Sequence, residues 1–160
     1  MGIAEKYRGP SGKILPGPRL TTEEVVSTLK EAFAGKHVCL AYLFGSYAEG
    51  KTTSMSDVDI AILLEGKGQE LYQAYRETML AILDALDSER FDLLLLNDAP
   101  LNLQFQVISE SRPIYARNED LLNDFEMTVI RKFQAAAQLR KVQEEYVKER
   151  AKEWYSRKTV

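Results

Sequence analysis

The sequence predicts an α/β protein, a small mixed and twisted sheet flanked by helices on one side and followed by a long terminal helix. Three observations lead there. Short apolar runs rich in strand formers, His37 to Phe44, Val58 to Leu64 and Arg90 to Leu96, alternate with segments of helical spacing. The 160 residues, 45% hydrophobic and 28% charged, suffice for one domain with a real core and hardly for two. From residue 118 onward only helical periodicity remains. The expected organisation is a flexible arm over 1–20, a catalytic-sized domain over 21–117 and a helix over 118–160.

Each element has its own reason. Residues 1–20 hold Gly9-Pro10, Ser11-Gly12 and Pro16-Gly17-Pro18, turn signals with no apolar period. Thr21 and Glu24 form a capping-box pattern that opens a helix burying Val25, Val26, Leu29 and Phe33 and ending at Gly35. Leu71, Tyr75, Met79, Ile82, Leu83 and Leu86 recur at helical spacing and predict a helix over 69–87. The strand from Arg90 to Leu96 is almost continuously apolar, as a central strand covered on both faces would be. A short helix from Leu101 to Glu110 then leads to a small strand around Pro113 to Ala116. In the terminal helix Leu122, Phe125, Val129, Phe133, Ala136, Leu139, Val142 and Tyr146 are spaced by three and four, close to the coiled-coil period. Its distal half either frays into solvent or packs on another chain, a protein partner or a second copy.

Composition removes several classes of function. A net charge of −3 argues against a general nucleic-acid binder. No apolar stretch approaches the ~18 residues of a membrane span. The single cysteine, Cys39, can form no internal disulfide and lies in an apolar strand, so a buried structural thiol and a reducing, cytoplasmic setting are expected. With one histidine, His37, and no cysteine cluster, zinc chemistry and a Ser-His-Asp hydrolase are excluded.

The chemistry concentrates in the stretch from Cys39 to Leu64. The first apolar run ends at Gly45-Ser46, and ten residues later Asp57-Val58-Asp59 opens the next. Two carboxylates two apart on a strand point to one face, and their repulsion is relieved by a hard cation such as Mg²⁺, which takes oxygen ligands and retains waters for a phosphate. Gly45 permits a sharp turn and close approach to a ligand. Ser46, at the start of a helical turn, offers a hydroxyl and backbone N–H groups to a phosphate. Asp92 supplies a third carboxylate in the neighbouring apolar strand, where an unpaired charge would be expensive. Three aspartates and two Mg²⁺ ions meet the requirement for in-line displacement at phosphorus. On charge repulsion alone, Asn at either Asp57 or Asp59 is expected to leave the fold intact. Tyr47 is placed to pack near a nucleotide or to lie on plain surface, Ser56 to fix the turn before Asp57, and Lys51 to contact phosphate or remain a solvated loop residue.

Gly45-Ser46, ten residues and Asp57-Val58-Asp59 resemble the signature of the DNA polymerase beta-like nucleotidyltransferases. Within that superfamily the chain is similar to the minimal nucleotidyltransferase (MNT) antitoxins that pair with HEPN-domain ribonuclease toxins. The likeness runs on through Phe91-Asp92 and Asn97-Asp98-Ala99-Pro100 to Ile114-Tyr115 and the terminal helix. It implies the minimal nucleotidyltransferase fold, ATP as substrate, and transfer of AMP to a tyrosine beside the RNase motif of a HEPN toxin. It also implies Asp57, Asp59 and Asp92 as catalytic metal ligands, with Gly45, Ser46, Tyr47, Lys51 and Ser56 near the nucleotide. The chain departs from the family pattern where an arginine is frequent: it has Tyr47, Ala48 and Glu49, and an inward Glu49 would oppose a triphosphate. Two other readings stand beside this one, a non-catalytic antitoxin that blocks its toxin by binding and a small-molecule nucleotidyltransferase. No separate acceptor-binding domain remains in the chain, so the acceptor is small or is presented by another protein.

Overall fold

The computed structural model describes residues 20–52 and 56–158. The arm expected over residues 1–20 lies outside them except for Leu20, which packs at the edge of the core. Nine elements follow in chain order: α1 (Thr22–Phe33), β1 (Val38–Phe44), α2 (Gly45–Ala48), β2 (Val58–Leu64), α3 (Gln69–Leu86), β3 (Phe91–Leu95), α4 (Leu101–Glu110), β4 (Arg112–Ala116) and α5 (Glu119–Lys158).

The strands form one sheet in the order β3-β2-β1-β4. β1 pairs antiparallel with β2 and with β4, while β2 and β3 run parallel, so the sheet is mixed. Parallel neighbours need a long crossover. Here α3 provides it, its 18 residues spanning the return from the end of β2 to the start of β3.

α1 begins as its capping box dictates, with the Glu24 N–H donating to Thr21 Oγ1 at 3.3 Å and the Thr21 N–H donating to Glu24 Oε2 at 2.8 Å. Its buried face is the expected Val25, Val26, Leu29 and Phe33. α3 is rotated from expectation. Its buried stripe runs through Ala74, Thr78, Ile82 and Leu86, whereas Met79 is exposed. The small residues Ala74 and Thr78 are buried with Ile82 and Leu86, and the Thr78 hydroxyl is satisfied by donating to the Ala74 carbonyl at 2.8 Å.

Two expectations about the sheet are corrected. Helices cover both of its faces rather than one: α1 and α3 bury Leu43, Val58, Ile60 and Ile62, and on the reverse face Val107 of α4 and Leu121, Leu122 and Phe125 of α5 pack with Leu40, Tyr42 and Ala61. β3 is an edge strand, half-buried along its length, and β2 and β1 are the inner ones. The apolar run misled because both faces of this edge are covered. Phe91, Leu93 and Leu95 join the α1/α3 side and Leu94 the α4/α5 side.

Side chains tie the later elements to the sheet. Asn97 mimics a strand partner, accepting from the Leu64 N–H and donating to the Leu64 carbonyl, both at 2.9 Å. The Tyr42 hydroxyl donates to Glu126 Oε1 at 3.1 Å, fixing α5 on β1. Burial and then the Glu126 charge push the Tyr42 phenol well above its usual range. Cys39 is buried, as expected, and burial raises its thiol pKa. The proximal part of α5 continues inward with Val129, and Phe133 stacks on Phe105 of α4 at 3.9 Å between ring centroids. Beyond Ala136 every described residue of α5 is exposed, including Leu139, Val142, Tyr146, Val147 and Trp154. No described helix is long and apolar enough to cross a membrane.

Candidate active site

The site lies where β1 ends and β2 and β3 begin. In the sheet, Phe44 stands opposite Asp59, and Asp59 opposite Asp92 across the parallel pair. Neighbouring strands lie about 4.8 Å apart, so register alone sets the Asp59 and Asp92 carboxylates side by side on one face. That is the α4/α5 face, since Ala61 and Leu94, two residues further along each strand, belong to its cluster. Both aspartates are half-buried at the sheet's end, beyond the reach of the apolar cover.

Gly45 turns the chain over this edge. Phe44 is extended, Gly45 takes φ +66°, and the short α2 follows. A Cβ added at Gly45 would overlap Asp59 Oδ2 and lie 3.2 Å from its Cγ. Only glycine combines that backbone conformation with that proximity. Ser46, half-buried, follows at the first turn, and its carbonyl accepts from the Lys51 N–H at 3.0 Å to close the loop.

Asp57 is held by a residue that sequence reasoning passed over. Arg90 is 1% exposed, the largest fully buried side chain, and donates from Nε at 2.9 Å and Nη2 at 2.7 Å to the same oxygen, Asp57 Oδ1. The backbone adds to this clasp, for the Val58 N–H donates to the Arg90 carbonyl at 3.1 Å and the Arg90 N–H to Ser88 Oγ at 3.1 Å. The available signal was an arginine at the border of an apolar run, read as a strand end rather than as a buried cation requiring an anion. Asp57 is therefore a structural partner as well as a candidate ligand. The expectation that Asn at position 57 leaves the fold intact is corrected, because it would strip a buried guanidinium of its counter-ion.

The other expected residues divide. Tyr47 is 2% exposed and belongs to the core beneath α2, so its ring packs inward instead of meeting a nucleotide. Its phenol pKa is raised, by burial first and against the opposing charge of Arg90. The Tyr47 carbonyl accepts from Thr22 Oγ1 at 3.1 Å, docking α2 on α1. Lys51 is exposed, and its Nζ lies 3.1 Å from Glu49 Oε2. The loop thus supplies Glu49 with its own cation. Ser56, half-buried, directly precedes Asp57.

Asp59 and Asp92 set two carboxylates on one face, the oxygen donors that a hard divalent ion takes, while Asp57 is held at the start of β2 by Arg90. Among the described residues no three acidic, histidine or cysteine side chains are grouped closely enough to hold a metal ion.

Comparison with known proteins agrees with this geometry. The family profile described as "Polymerase beta, Nucleotidyltransferase" matches residues 27–120, more than half of the chain. Among solved structures, a chain of a toxin–antitoxin crystallised with AMP-PNP is similar at 27% identity, covering 80% of this chain and 98% of that one with a TM-score of 0.56. A second, from a toxin–antitoxin variant in which two aspartates separated by one residue are replaced by glutamate, shares 26% identity over 80% and 98% of the two chains, TM-score 0.56. A third comes from the tri-AMPylated HEPN toxin of Shewanella oneidensis in complex with its MNT antitoxin, at 25% identity over 79% and 94%, TM-score 0.52. Comparison with curated protein sequences gave no match.

Proposed function

The chain belongs to the polymerase beta nucleotidyltransferase family, and from that premise we propose that it is an antitoxin that transfers AMP from ATP to a tyrosine hydroxyl of a HEPN-domain ribonuclease toxin. One observation carries the reading. Asp59 stands in register with Asp92 while the Gly45 backbone presses against the Asp59 carboxylate. Acid pair and phosphate turn are thereby locked into one edge.

Asp57, Asp59 and Asp92 would hold Mg²⁺, two ions in the full site, which when bound lower the pKa of the acceptor hydroxyl and neutralise the triphosphate. Ser46 Oγ and the backbone of the Gly45 turn grip the phosphates distal to the reacting one. Arg90 holds Asp57 in place from within the core. The hydroxyl oxygen then bonds to the α-phosphorus as the bond to the bridging oxygen of pyrophosphate breaks, and the hydroxyl proton passes to the Asp92 carboxylate. Lys51 Nζ, 3.1 Å from Glu49 Oε2, offsets part of the charge that this exposed carboxylate sets near the triphosphate.

The acceptor is placed on a protein partner by analogy with the similar solved structures. The relatives that share this fold are crystallised as toxin–antitoxin pairs, one with its toxin AMPylated. Incubation with labelled ATP, Mg²⁺ and a co-encoded HEPN protein should raise the partner's intact mass by one or more AMP units. A stable complex whose partner mass never changes would replace this reading with inhibition by binding alone.

A further inference from the structure

A cavity of about 290 Å³ opens directly beside the carboxylates, between the sheet and α4. Gly45, which touches Asp59, forms one side of its mouth, and Leu94, two residues past Asp92 on the same face, forms its floor. Phe44, Leu103 and Val107 complete apolar walls suited to a flat ring. Its polar lining comes from two places, Glu49 on the turn that follows Gly45, and Gln106, Glu110 and Ser111 where α4 stops.

Two features of that end are unexplained by folding. Ser111 Oγ, which follows α4, is shielded from solvent and meets no hydrogen-bond partner among the described residues. Leaving such a hydroxyl unsatisfied costs the protein about 1–3 kcal/mol. Glu110 is the last residue of α4, where the negative end of the helix dipole opposes a carboxylate and where no basic residue compensates. Its Oε2 is nevertheless fixed by the Gln106 side chain, which donates from Nε2 at 3.0 Å. An oriented acceptor and an unpaired hydroxyl thus border an apolar slot a few ångströms from the reacting edge.

We propose that this slot receives the nucleobase of the triphosphate and selects a base with an exocyclic amino group. The amino group donates to the Glu110 carboxylate, and Ser111 Oγ donates to an adjacent ring nitrogen. A base bearing a carbonyl at that position would set oxygen against carboxylate and is rejected. The inference rests on the nucleotidyl-transfer reading above and adds to it the residues that choose the base.

ATP and ITP make the test, since they differ only along one purine edge, where an amino group beside an acceptor nitrogen in ATP becomes a carbonyl beside an N–H in ITP. Calorimetry with Mg²⁺ and the full chain, without acceptor, should show ATP binding about tenfold or more tighter than ITP. Glu110→Gln, whose amide can donate as well as accept, should narrow that ratio to about threefold or less, and Ser111→Ala should weaken ATP by about fivefold or more. Equal affinities of the wild-type chain for ATP and ITP would overturn the base pocket alone. So would variants whose ATP affinity is unchanged while binding of the protein acceptor falls, which would give the slot to the acceptor. Failure of the wild-type chain to bind any nucleoside triphosphate would overturn the proposed function itself.

Discussion

The two faces of the sheet spend their side chains in opposite ways. Beneath α1 and α3, Leu43, Val58, Ile60 and Ile62 are wholly excluded from water, and the odd-numbered partners of the β2 residues point the other way. On that reverse face α4 and α5 cover Tyr42 and Ala61 yet stop short of Asp59 and Asp92. One strand therefore carries core on one side and chemistry on the other, separated by the two-residue period. The comparison teaches that these acids stand half-buried at the sheet's end, where the apolar cover stops. Asp57 is the exception that crosses the boundary, tied from the site into the core by Arg90.

The largest effects come from changing each side separately. Asp59→Asn and Asp92→Asn should each abolish transfer with melting temperature unchanged or slightly raised, because like charges are removed. Ile60→Ala, the residue after Asp59 on β2 and on the sealed face, should cost about 2–5 kcal/mol of stability through the cavity it opens. Asp57→Asn should do both, losing transfer and destabilising toward the roughly 3–5 kcal/mol of a broken buried pair. Paired measurements of melting and AMP transfer on these four variants check the division. Equal melting of the Asp57 and Asp59 variants would show that Arg90 is satisfied without Asp57 and would dissolve the exception.

A smaller effect sharpens the same boundary at the phosphate turn. Ser46→Ala should weaken triphosphate binding by on the order of 1.5–3 kcal/mol, the worth of a hydrogen bond to a charged group. Stability should hardly respond, since Ser46 lies in a turn at the rim while its neighbour Tyr47 carries the packing. A sharp fall in melting with unchanged affinity would make Ser46 structural.

Much of this was legible before any coordinates. The capping box fixed the start of α1, and the Gly45-Ser46 break located the turn. Those features are local, set by neighbours in sequence. What was misread depends on partners far along the chain. Whether β3 is central or at an edge turns on strand order, which an apolar run does not encode when both faces are covered. Tyr47 looked available because it follows Ser46, but α1, more than twenty residues earlier, packs over that position. Arg90 was overlooked because nothing local announces a buried cation; its anion lies 33 positions away.

The terminal helix poses the boundary question on a larger scale, and there the smallest effect on chemistry is expected. At 1.5 Å per residue its 40 residues reach about 60 Å, well past the sheet it leaves behind. The proximal turns belong to the domain, through Glu126 to Tyr42 and Phe133 to Phe105. The distal turns leave Leu139, Val142, Tyr146, Val147 and Trp154 exposed. Truncation after Leu139 should therefore leave ATP and Mg²⁺ affinity within about twofold of the full chain, because the groups that bind them sit at the far edge of the sheet. Association with the protein acceptor, or with a second copy of this chain, should weaken, and transfer should fall only as far as occupancy of the complex falls. Calorimetry for ATP and size-exclusion for the complex separate the two terms. If the truncated chain holds its partner firmly and loses nucleotide binding instead, the distal helix serves the catalytic edge, and the division between core, site and partner surface must be redrawn.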